Sequence, residues 1–157
     1  MLDITLIIVG RLKDKNLKSL ASDYIKRIKP FASLKIIELE AFAFNNKNKE
    51  AVKNLEGERI LKAIKKEEEN PKGAVAYLLA ERGESFKSSP DFAVWLNKKS
   101  PLVLVVGGAL GFSDELYKSY KQISLSPLTF PHELAQVIFL EQLYRSALIN
   151  SKKDYHY

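Results

Sequence analysis

Apolar and polar residues follow one another in blocks that predict strands and helices in alternation. Aliphatic and β-branched runs predict strands, and apolar residues at three- and four-residue spacing predict helices. Strands are predicted at residues 2–9, 34–39, 73–80, 101–106 and 123–125, and helices at residues 17–28, 52–70, 89–96, 114–120 and 131–150. Such alternation with short connections predicts an α/β fold, in which a mostly parallel sheet is covered by helices on both faces.

The connections and helix faces add detail to this picture. Residues 41–48 are predicted to form a loop, and residues 81–89 a polar connection. Ser113 is predicted to cap the fourth helix, because a serine hydroxyl accepts hydrogen bonds from the free N–H groups of a first turn. The inner faces of the first two helices are expected to include Leu20 and Leu55.

The composition fits a single soluble domain over residues 1–157. Hydrophobic residues make up 46% of the chain and charged residues 28%, a balance that argues against extended disorder. The absence of cysteine and the presence of only two histidines exclude a disulfide framework, thiolate metal sites and a histidine-rich metal cluster. The longest aliphatic run, residues 102–106, is too short to cross a membrane and no basic leader is visible, so a cytoplasmic protein is expected.

Basic residues are concentrated in the first half of the chain. The formal net charge is +6, and the excess lies within residues 11–72, since the flanking segments nearly cancel. The tightest cluster follows the first strand and consists of Arg11, Lys13, Lys15 and Lys18. A lysine-rich surface attracts nucleic-acid phosphates through counterion release, but a merely solubilising surface explains the charge at least as well.

The fourth strand ends on the glycine-rich sequence VGGALGF, residues 106–112. Ligands of open α/β sheets bind beyond the carboxyl ends of strands, and glycines let the main chain approach them. Gly107 and Gly108 are therefore candidate binding residues, although a tight turn explains them equally well. The GGxxG spacing matches a dinucleotide fingerprint poorly, which disfavours an NAD-type enzyme, and the lack of GxxxxGK[ST] excludes a P-loop nucleotidase.

A second candidate segment, residues 125–133, joins the fifth strand to the last helix. Thr129 is expected to accept hydrogen bonds from the first N–H groups of that helix. Leu125, Leu128 and Phe130 are expected to form an apolar wall beside exposed main-chain amides, which suits a heterocycle such as adenine. A rigid loop with a capping threonine is the simpler interpretation.

Polar residues interrupt the apolar face of the last helix; they are His132, Gln136, Glu141, Tyr144 and Arg145. Glu141 and Arg145 are four residues apart, so a surface ion pair is the plain interpretation. Alternatively, Arg145 and the tail after the helix present cations and aromatic rings to RNA. A lone histidine near a helix start, such as His132, is more often structural than catalytic.

Three segments, taken together and in order, resemble one known family. They are Val105–Phe112 (VVGGALGF), Ile123–Ile149 (ISLSPLTFPHELAQVIFLEQLYRSALI) and the terminal Asp154–His156 (DYH). They resemble the large-subunit ribosomal RNA methyltransferase H family, small SPOUT-class enzymes that methylate pseudouridine at N3. Val9–Lys13 and Glu56–Leu61 also fit, so the resemblance extends over the full chain.

The resemblance implies a SPOUT-type fold with a C-terminal trefoil knot, a homodimer, and S-adenosylmethionine bound in the knot. The implied substrate is 23S rRNA of the assembled ribosome, with neither a membrane nor a metal involved. The implied cofactor-binding residues are Leu79, Gly107, Gly108, Leu125, Ser126, Pro127, Leu128, Thr129 and Phe130. The implied catalytic residues are His132, Arg145, Tyr155 and His156, of which the last two are expected to reach the neighbouring subunit's pocket.

The implied reaction requires in-line alignment of a sulfonium methyl group and removal of the N3 proton from the base. Either Arg145 or a nearby main-chain donor is expected to stabilise the negative charge on the deprotonated base. Tyr155 is expected to stack on a base taken out of its helix. The proton acceptor stays open among His132, His156, water and phosphate.

Two positions depart from the family's pattern. Gln136 stands where the family usually has an arginine, and Tyr157 stands where a basic residue usually ends the chain. A glutamine forms hydrogen bonds with a phosphate or a base but supplies no charge. The alternative function is therefore a non-catalytic, rRNA- or ribosome-binding module of the same fold.

Overall fold

The computed structural model of the protein describes residues 1–153. Their elements follow in the order β1 (Leu2–Val9), α1 (Lys15–Ile28), β2 (Ala32–Leu39), α2 (Lys49–Glu68), β3 (Val75–Ser85), α3 (Ser89–Lys99), β4 (Leu102–Val106), α4 (Asp114–Ser119), β5 (Lys121–Ser124) and α5 (His132–Asn150). Each strand and helix predicted from the hydrophobic pattern is present, and the differences concern where some of them begin and end.

The strands form one sheet in the order β2-β1-β4-β3-β5, and all neighbouring strands are parallel. The central strand β4 is buried along its whole length, which explains its unbroken aliphatic sequence. Side chains of α1, α3 and α5 pack on one face of the sheet, and those of α2 and α4 pack on the other. The predicted α/β fold is therefore confirmed, and the carboxyl ends of all five strands meet at one edge.

Strand β3 is longer than predicted and crosses the end of β5. Leu79 pairs with Ile123, and after an irregular stretch of four residues Glu84 pairs with Ile123 again. A Cβ atom on Gly83 would lie 2.5 Å from the main-chain carbon of Ile123, so only glycine allows this approach. The prediction of a polar connection beginning at residue 81 was wrong, because β3 continues to Ser85. Glu84 and Ser85 are exposed but still pair with β5 through their main chain.

Two leucines predicted on inner helix faces are largely exposed, Leu20 at 43% and Leu55 at 46%. In α2 the neighbouring Glu56 and Gly57 are buried instead. The physical reason is close packing, since a Cβ atom on Gly57 would lie 2.6 Å from the hydroxyl of Ser113. This contact sets the rotation of α2 about its axis, which hydropathy alone does not determine.

Among residues 1–153, no helix is both long and apolar enough to cross a membrane.

Candidate functional site at the carboxyl edge of the sheet

The glycine-rich segment after β4 is packed tightly against its neighbours. A Cβ atom on Gly107 would lie 3.2 Å from the Phe112 ring, and one on Gly108 would lie 3.1 Å from Val9 Cγ1. The Gly111 N–H donates to the Gly108 carbonyl at 3.1 Å, with Gly111 at a φ of 72° that favours glycine. We call residues 107–113 the glycine loop, and it forms the tight turn that the sequence allowed.

The glycine loop ends where α4 begins. The Ser113 hydroxyl accepts a hydrogen bond from the Leu116 N–H at 3.4 Å, and Ser113 itself is buried. The predicted N-cap is therefore confirmed. The cap anchors the far end of the loop, so its glycines lie between two fixed points, the end of β4 and the start of α4.

A cavity of about 270 Å³ lies beside the segment that joins β5 to α5. Three of the predicted cofactor-binding residues, Leu125, Ser126 and Phe130, line it. Its other lining residues were not predicted: they are Phe86, Ser88, Ser89, Phe92, Ser124, Ile138 and Gln142. These residues come from the connection between β3 and α3, from α3 itself, and from β5 and α5. They carry no motif, so only the tertiary structure brings them together.

The walls of this cavity combine aromatic rings with hydroxyl and amide groups. The Phe86 and Phe92 rings lie with their centroids 4.9 Å apart, and Phe130 adds a third ring. On the polar side, the Ser89 hydroxyl donates to Gln142 Oε1 at 2.8 Å and the Ser124 hydroxyl donates to the Ser126 carbonyl at 2.9 Å. Apolar walls with a few oriented polar groups are typical of small-molecule sites.

The middle of the same segment points away from the cavity. Pro127, Leu128 and Thr129 are exposed, and Leu128 has 68% of its surface exposed. The predicted apolar wall is therefore formed by Leu125 and Phe130 without Leu128. The predicted capping role of Thr129 was also wrong, because α5 begins after Pro131 with no side-chain cap. The proline holds the chain in an extended conformation there, which leaves Thr129 outside the first turn.

The remaining predicted cofactor residue, Leu79, is partly buried and packs against the core beside the Ile123 pairing. Neither Leu79 nor the paired glycines line the 270 Å³ cavity. Leu79 pairs with Val106, the residue before Gly107. The predicted residues therefore divide into a set at the cavity (Leu125, Ser126 and Phe130), a set at the glycine loop (Leu79, Gly107 and Gly108) and three exposed residues between Ser126 and Phe130.

The start of α5 is tied to the basic cluster that follows β1. Glu133 Oε1 accepts a hydrogen bond from the Lys13 N–H and a second, at 3.2 Å, from the Asp14 N–H. The Asp14 carboxylate in turn caps α1 through the N–H groups of Asn16 and Leu17. These bonds hold the segment that carries Arg11 and Lys13 next to the half-buried His132. Nothing in the sequence marks Glu133 for this role.

Arg145 is held in a partly buried network rather than in an exposed pair. Its Nε and Nη2 atoms donate to Glu141 Oε1 at 3.0 and 2.5 Å, and the two side chains are only 24% and 20% exposed. Gln142 Nε2 donates to Glu141 Oε2 at 2.6 Å. The expected i, i+4 ion pair is therefore present, but it is partly buried rather than exposed. Because Gln142 also lines the cavity, hydrogen bonds run from Arg145 to the cavity wall.

Gln136, which departs from the family's pattern, is 2% exposed. Its Nε2 atom donates to the Gly10 carbonyl at 3.4 Å, at the end of β1. The side chain therefore connects α5 to the sheet within this chain.

Glu56 is a buried carboxyl group at the same edge. Burial raises its pKa, and the Phe42 N–H, Arg59 and His132 act in the opposite direction.

Tyr155 and His156, both predicted to be catalytic, lie outside the described residues. Within residues 1–153, no group of three or more His, Cys, Asp or Glu side chains is arranged to hold a metal ion.

Comparison with known proteins gives matches over nearly the whole chain. A family model described as "Predicted SPOUT methyltransferase" matches residues 2–156. The ribosomal RNA large subunit methyltransferase H of Kosmotoga olearia is 37% identical over 99% of this chain and 100% of its own length. The proteins of the same name from Lactococcus lactis subsp. cremoris and Bacillus thuringiensis subsp. konkukian are 39% and 38% identical, covering 98% and 99% of both chains.

Proposed function

The chain belongs to the SPOUT methyltransferase family, and from this we propose that it transfers a methyl group from S-adenosylmethionine to N3 of a pseudouridine in 23S rRNA of the assembled ribosome. The observation that carries the proposal is the match over residues 2–156 together with relatives that are 37–39% identical over almost the entire chain. The name of these relatives specifies large-subunit ribosomal RNA. Because the proposed substrate is the assembled ribosome, the reaction is proposed to take place in the cytoplasm.

The residues at the carboxyl edge fit S-adenosylmethionine. The rings of Phe86, Phe92 and Phe130 offer apolar walls for an adenine, and the hydroxyl and amide groups of Ser89 and Gln142 offer hydrogen bonds. At the glycine loop, Phe112 and Val9 pack against the positions that a Cβ atom would occupy on Gly107 and Gly108, so these contacts fix the course of the main chain. Main-chain groups of residues 125–130, Gly107, Gly108 and Leu79 within β3 would hold the rest of the molecule. When bound, the sulfonium supplies a methyl group that is already electrophilic.

The protein's own groups then have to hold the target base and remove its N3 proton. Glu141 orients the Arg145 guanidinium through two hydrogen bonds, so the cation is available to stabilise the negative charge of the deprotonated imide without reorganising. His132 at the start of α5 is one candidate proton acceptor, and His156 is the other. Tyr155 is the proposed stacking partner of the base.

The ribosomal RNA is proposed to contact the basic cluster at the start of α1. Glu133 holds the main chain of Lys13 and Asp14 beside the start of α5, and the Arg11 side chain is exposed. Phosphates bound by this cluster would therefore lie near His132. This geometry supports the RNA-binding interpretation of the charge over a merely solubilising surface.

A homodimer with a C-terminal trefoil knot completes the proposal, and the length of α5 supports the dimer. This helix starts at the carboxyl edge and its 19 residues extend over about 28 Å. The Lys153 ammonium, three residues after α5, lies 4.9 Å from the ring centroid of Phe31, just before β2 begins at the opposite edge. Because α5 carries the chain away from the carboxyl edge, the proposal is that Tyr155 and His156 act beside the His132 of a second copy.

Methyl transfer to ribosomes that lack the modification tests the function. We expect label from methyl-labelled S-adenosylmethionine to appear at N3 of one pseudouridine when assembled ribosomes are supplied, and less label on free large subunits. Salt-sensitive ribosome binding without product would overturn the proposal in favour of the non-catalytic binding module. Gln136, the residue that leaves this alternative open, is buried and donates to the Gly10 carbonyl within this chain, which argues against a direct part of Gln136 in binding RNA.

Calorimetry with S-adenosylmethionine tests the cofactor site separately. A valine at Gly107 would intrude on the Phe112 ring, so Gly107→Val is expected to weaken binding at least about tenfold, equivalent to ~1.4 kcal/mol. Ala109→Val, an exposed position in the same loop, is the matched control and should bind like the wild type. Failure of the wild-type protein to bind S-adenosylmethionine would contradict the proposal.

A further inference from the structure

Glu56 on α2 is a buried carboxyl group of which only one oxygen has a partner. The residue is 4% exposed, and its Oε1 atom accepts a hydrogen bond from the Phe42 N–H at 3.1 Å. Its Oε2 atom is buried and has no hydrogen-bond partner within residues 1–153. An unpaired buried carboxyl oxygen costs free energy, so an amide or an apolar side chain would serve the core better.

The unpaired oxygen faces the glycine loop. Glu56 Oε2 lies 3.2 Å from the point where a Cβ atom on Gly108 would be, so the Gly108 main chain is its neighbour. The next residue, Gly57, packs against the hydroxyl and Cβ atoms of Ser113. Two successive residues of α2 therefore contact both ends of the glycine loop, Glu56 near its start and Gly57 at its end.

Charged groups on α2 and α5, and the loop that follows β2, lie near this carboxyl group. Arg59, on α2, has its guanidinium 4.1 Å from the centroid of the Phe42 ring and donates to the Glu40 carbonyl at 3.4 Å. His132, at the start of α5, exerts an attractive interaction on the carboxylate, and so does Arg59. Glu56 thus lies between the glycine loop and the end of α5 that carries the proposed proton acceptor.

A second buried glutamate on α2 has the hydrogen bonds expected of a purely structural residue. Glu67 is 6% exposed, and both of its oxygens have partners. Oε1 accepts a hydrogen bond from Lys35 Nζ at 2.7 Å, and Oε2 accepts one from the Thr5 hydroxyl at 3.4 Å. Those partners lie on β1 and β2, away from the glycine loop. The contrast with Glu56 indicates that the unpaired oxygen is specific to the loop.

We propose that Glu56 is a positioning residue of the methyl-transfer site, which orders the glycine loop for the methyl donor through its Oε2 atom. Its carboxylate accepts a hydrogen bond from a main-chain N–H group of the loop when the donor is bound, and without the donor that oxygen remains unpaired. This inference rests on the proposed function, since it assigns Glu56 a part in that same site.

The test compares Glu56→Gln with Glu67→Gln in the full-length protein. Three quantities are measured: the dissociation constant for S-adenosylmethionine by calorimetry, hydrogen exchange of residues 107–113 without and with the cofactor, and the melting temperature. For Glu56→Gln we expect at least about tenfold weaker binding, loss of the protection that the cofactor gives the loop, and a melting temperature no lower than the wild type's. For Glu67→Gln we expect a lower melting temperature, with binding and loop protection unchanged.

Each result decides the inference in one direction. If Glu56→Gln binds the cofactor within about twofold of the wild type and keeps the protection of the loop, Glu56 is not a positioning residue. Equal weakening by Glu67→Gln would show that general destabilisation, rather than loop order, is responsible, and would also overturn the inference. If the wild-type protein itself does not bind S-adenosylmethionine, the proposed function fails first, which is a distinguishable outcome.

Discussion

At the scale of single residues, the site depends on how side chains are held by their neighbours. Arg145, Glu141, Gln142 and Ser89 form one chain of hydrogen bonds that ends at the cavity wall. The sequence indicated Arg145 and the i, i+4 spacing of its partner, but not the burial of the pair. Burial matters because a desolvated cation acts more strongly on a developing negative charge than an exposed one does.

Replacement of Arg145 by lysine tests the orientation of this cation. A lysine keeps the charge but cannot reproduce the two bonds to Glu141 Oε1. We expect Arg145→Lys to lower kcat/KM for methyl transfer at least about tenfold, which corresponds to ~1.4 kcal/mol. Arg27→Lys is the control, because Arg27 pairs with Asp23 in the same i, i+4 arrangement on α1 but with both side chains about half exposed. Equal losses in both variants would contradict the prediction.

The carboxyl group of Glu56 makes stability depend on pH. Burial raises its pKa above 4.5, so between the two pKa values the folded protein keeps a proton that the unfolded chain has lost. The free energy of unfolding of the wild type therefore falls as pH rises through this interval. Glu56→Gln has no such proton, so we expect its stability relative to the wild type to be greater at about pH 7 than at about pH 4. Urea unfolding at both pH values measures this, and a difference independent of pH would contradict it.

At the scale of secondary-structure elements, the crossing of β3 and β5 decides where the site residues lie. The pattern of alternation predicted both strands, but hydropathy gave no sign that the charged residues 81–85 continue β3. Main-chain pairing is insensitive to side-chain polarity on an exposed strand, so the end of β3 is decided by contact with β5. That extension carries Phe86 and Ser88 to the cavity.

Gly83 is the residue on which the crossing depends. A Cβ atom there would lie 2.5 to 2.7 Å from main-chain atoms of Gln122 and Ile123, and main-chain atoms cannot move aside cheaply. We expect Gly83→Ala to lower the free energy of unfolding by about 2–4 kcal/mol. Gly73→Ala is the comparison, because its Cβ atom meets open space and only the positive φ of 65° opposes it, at a cost of ~1 kcal/mol. Urea unfolding of both variants measures the difference, and similar losses would refute the role of Gly83.

At the scale of the whole molecule, charge and exposed apolar surface indicate where the chain would bind its proposed partners, rRNA and a second copy. The net charge of +6 alone did not distinguish an RNA-binding surface from a solubilising one. The position of Glu133 supports the proposed RNA-binding surface, because Glu133 holds part of the basic cluster beside the proposed catalytic end of α5. Leu20 on α1 and Leu134 on α5 are exposed at 43% and 36% on two helices of the same sheet face, and we propose this face as the interface of the proposed homodimer.

A charge placed on this face tests the dimer. We expect Leu134→Glu to shift the protein to monomers in light scattering at micromolar concentration, because a carboxylate at an apolar interface would be desolvated without a partner. Leu55→Glu is the matched control, since Leu55 is similarly exposed at 46% on α2, which packs on the other face. A Leu134→Glu protein that remains dimeric would exclude this face as the interface.

The sequence by itself determined the order of the elements, the parallel α/β sheet and the two segments at the carboxyl edge. It did so because the local hydropathy pattern predicts buried strands and amphipathic helices, and because glycine and proline mark sharp turns. Only the tertiary structure decided which side chains meet there. Glu56 replaces Leu55 on the buried face of α2, Phe86 and Gln142 join the cavity, and Gln136 connects to Gly10. Such contacts depend on helix rotation, strand crossing and close main-chain approach, which arise from packing between segments far apart in the chain.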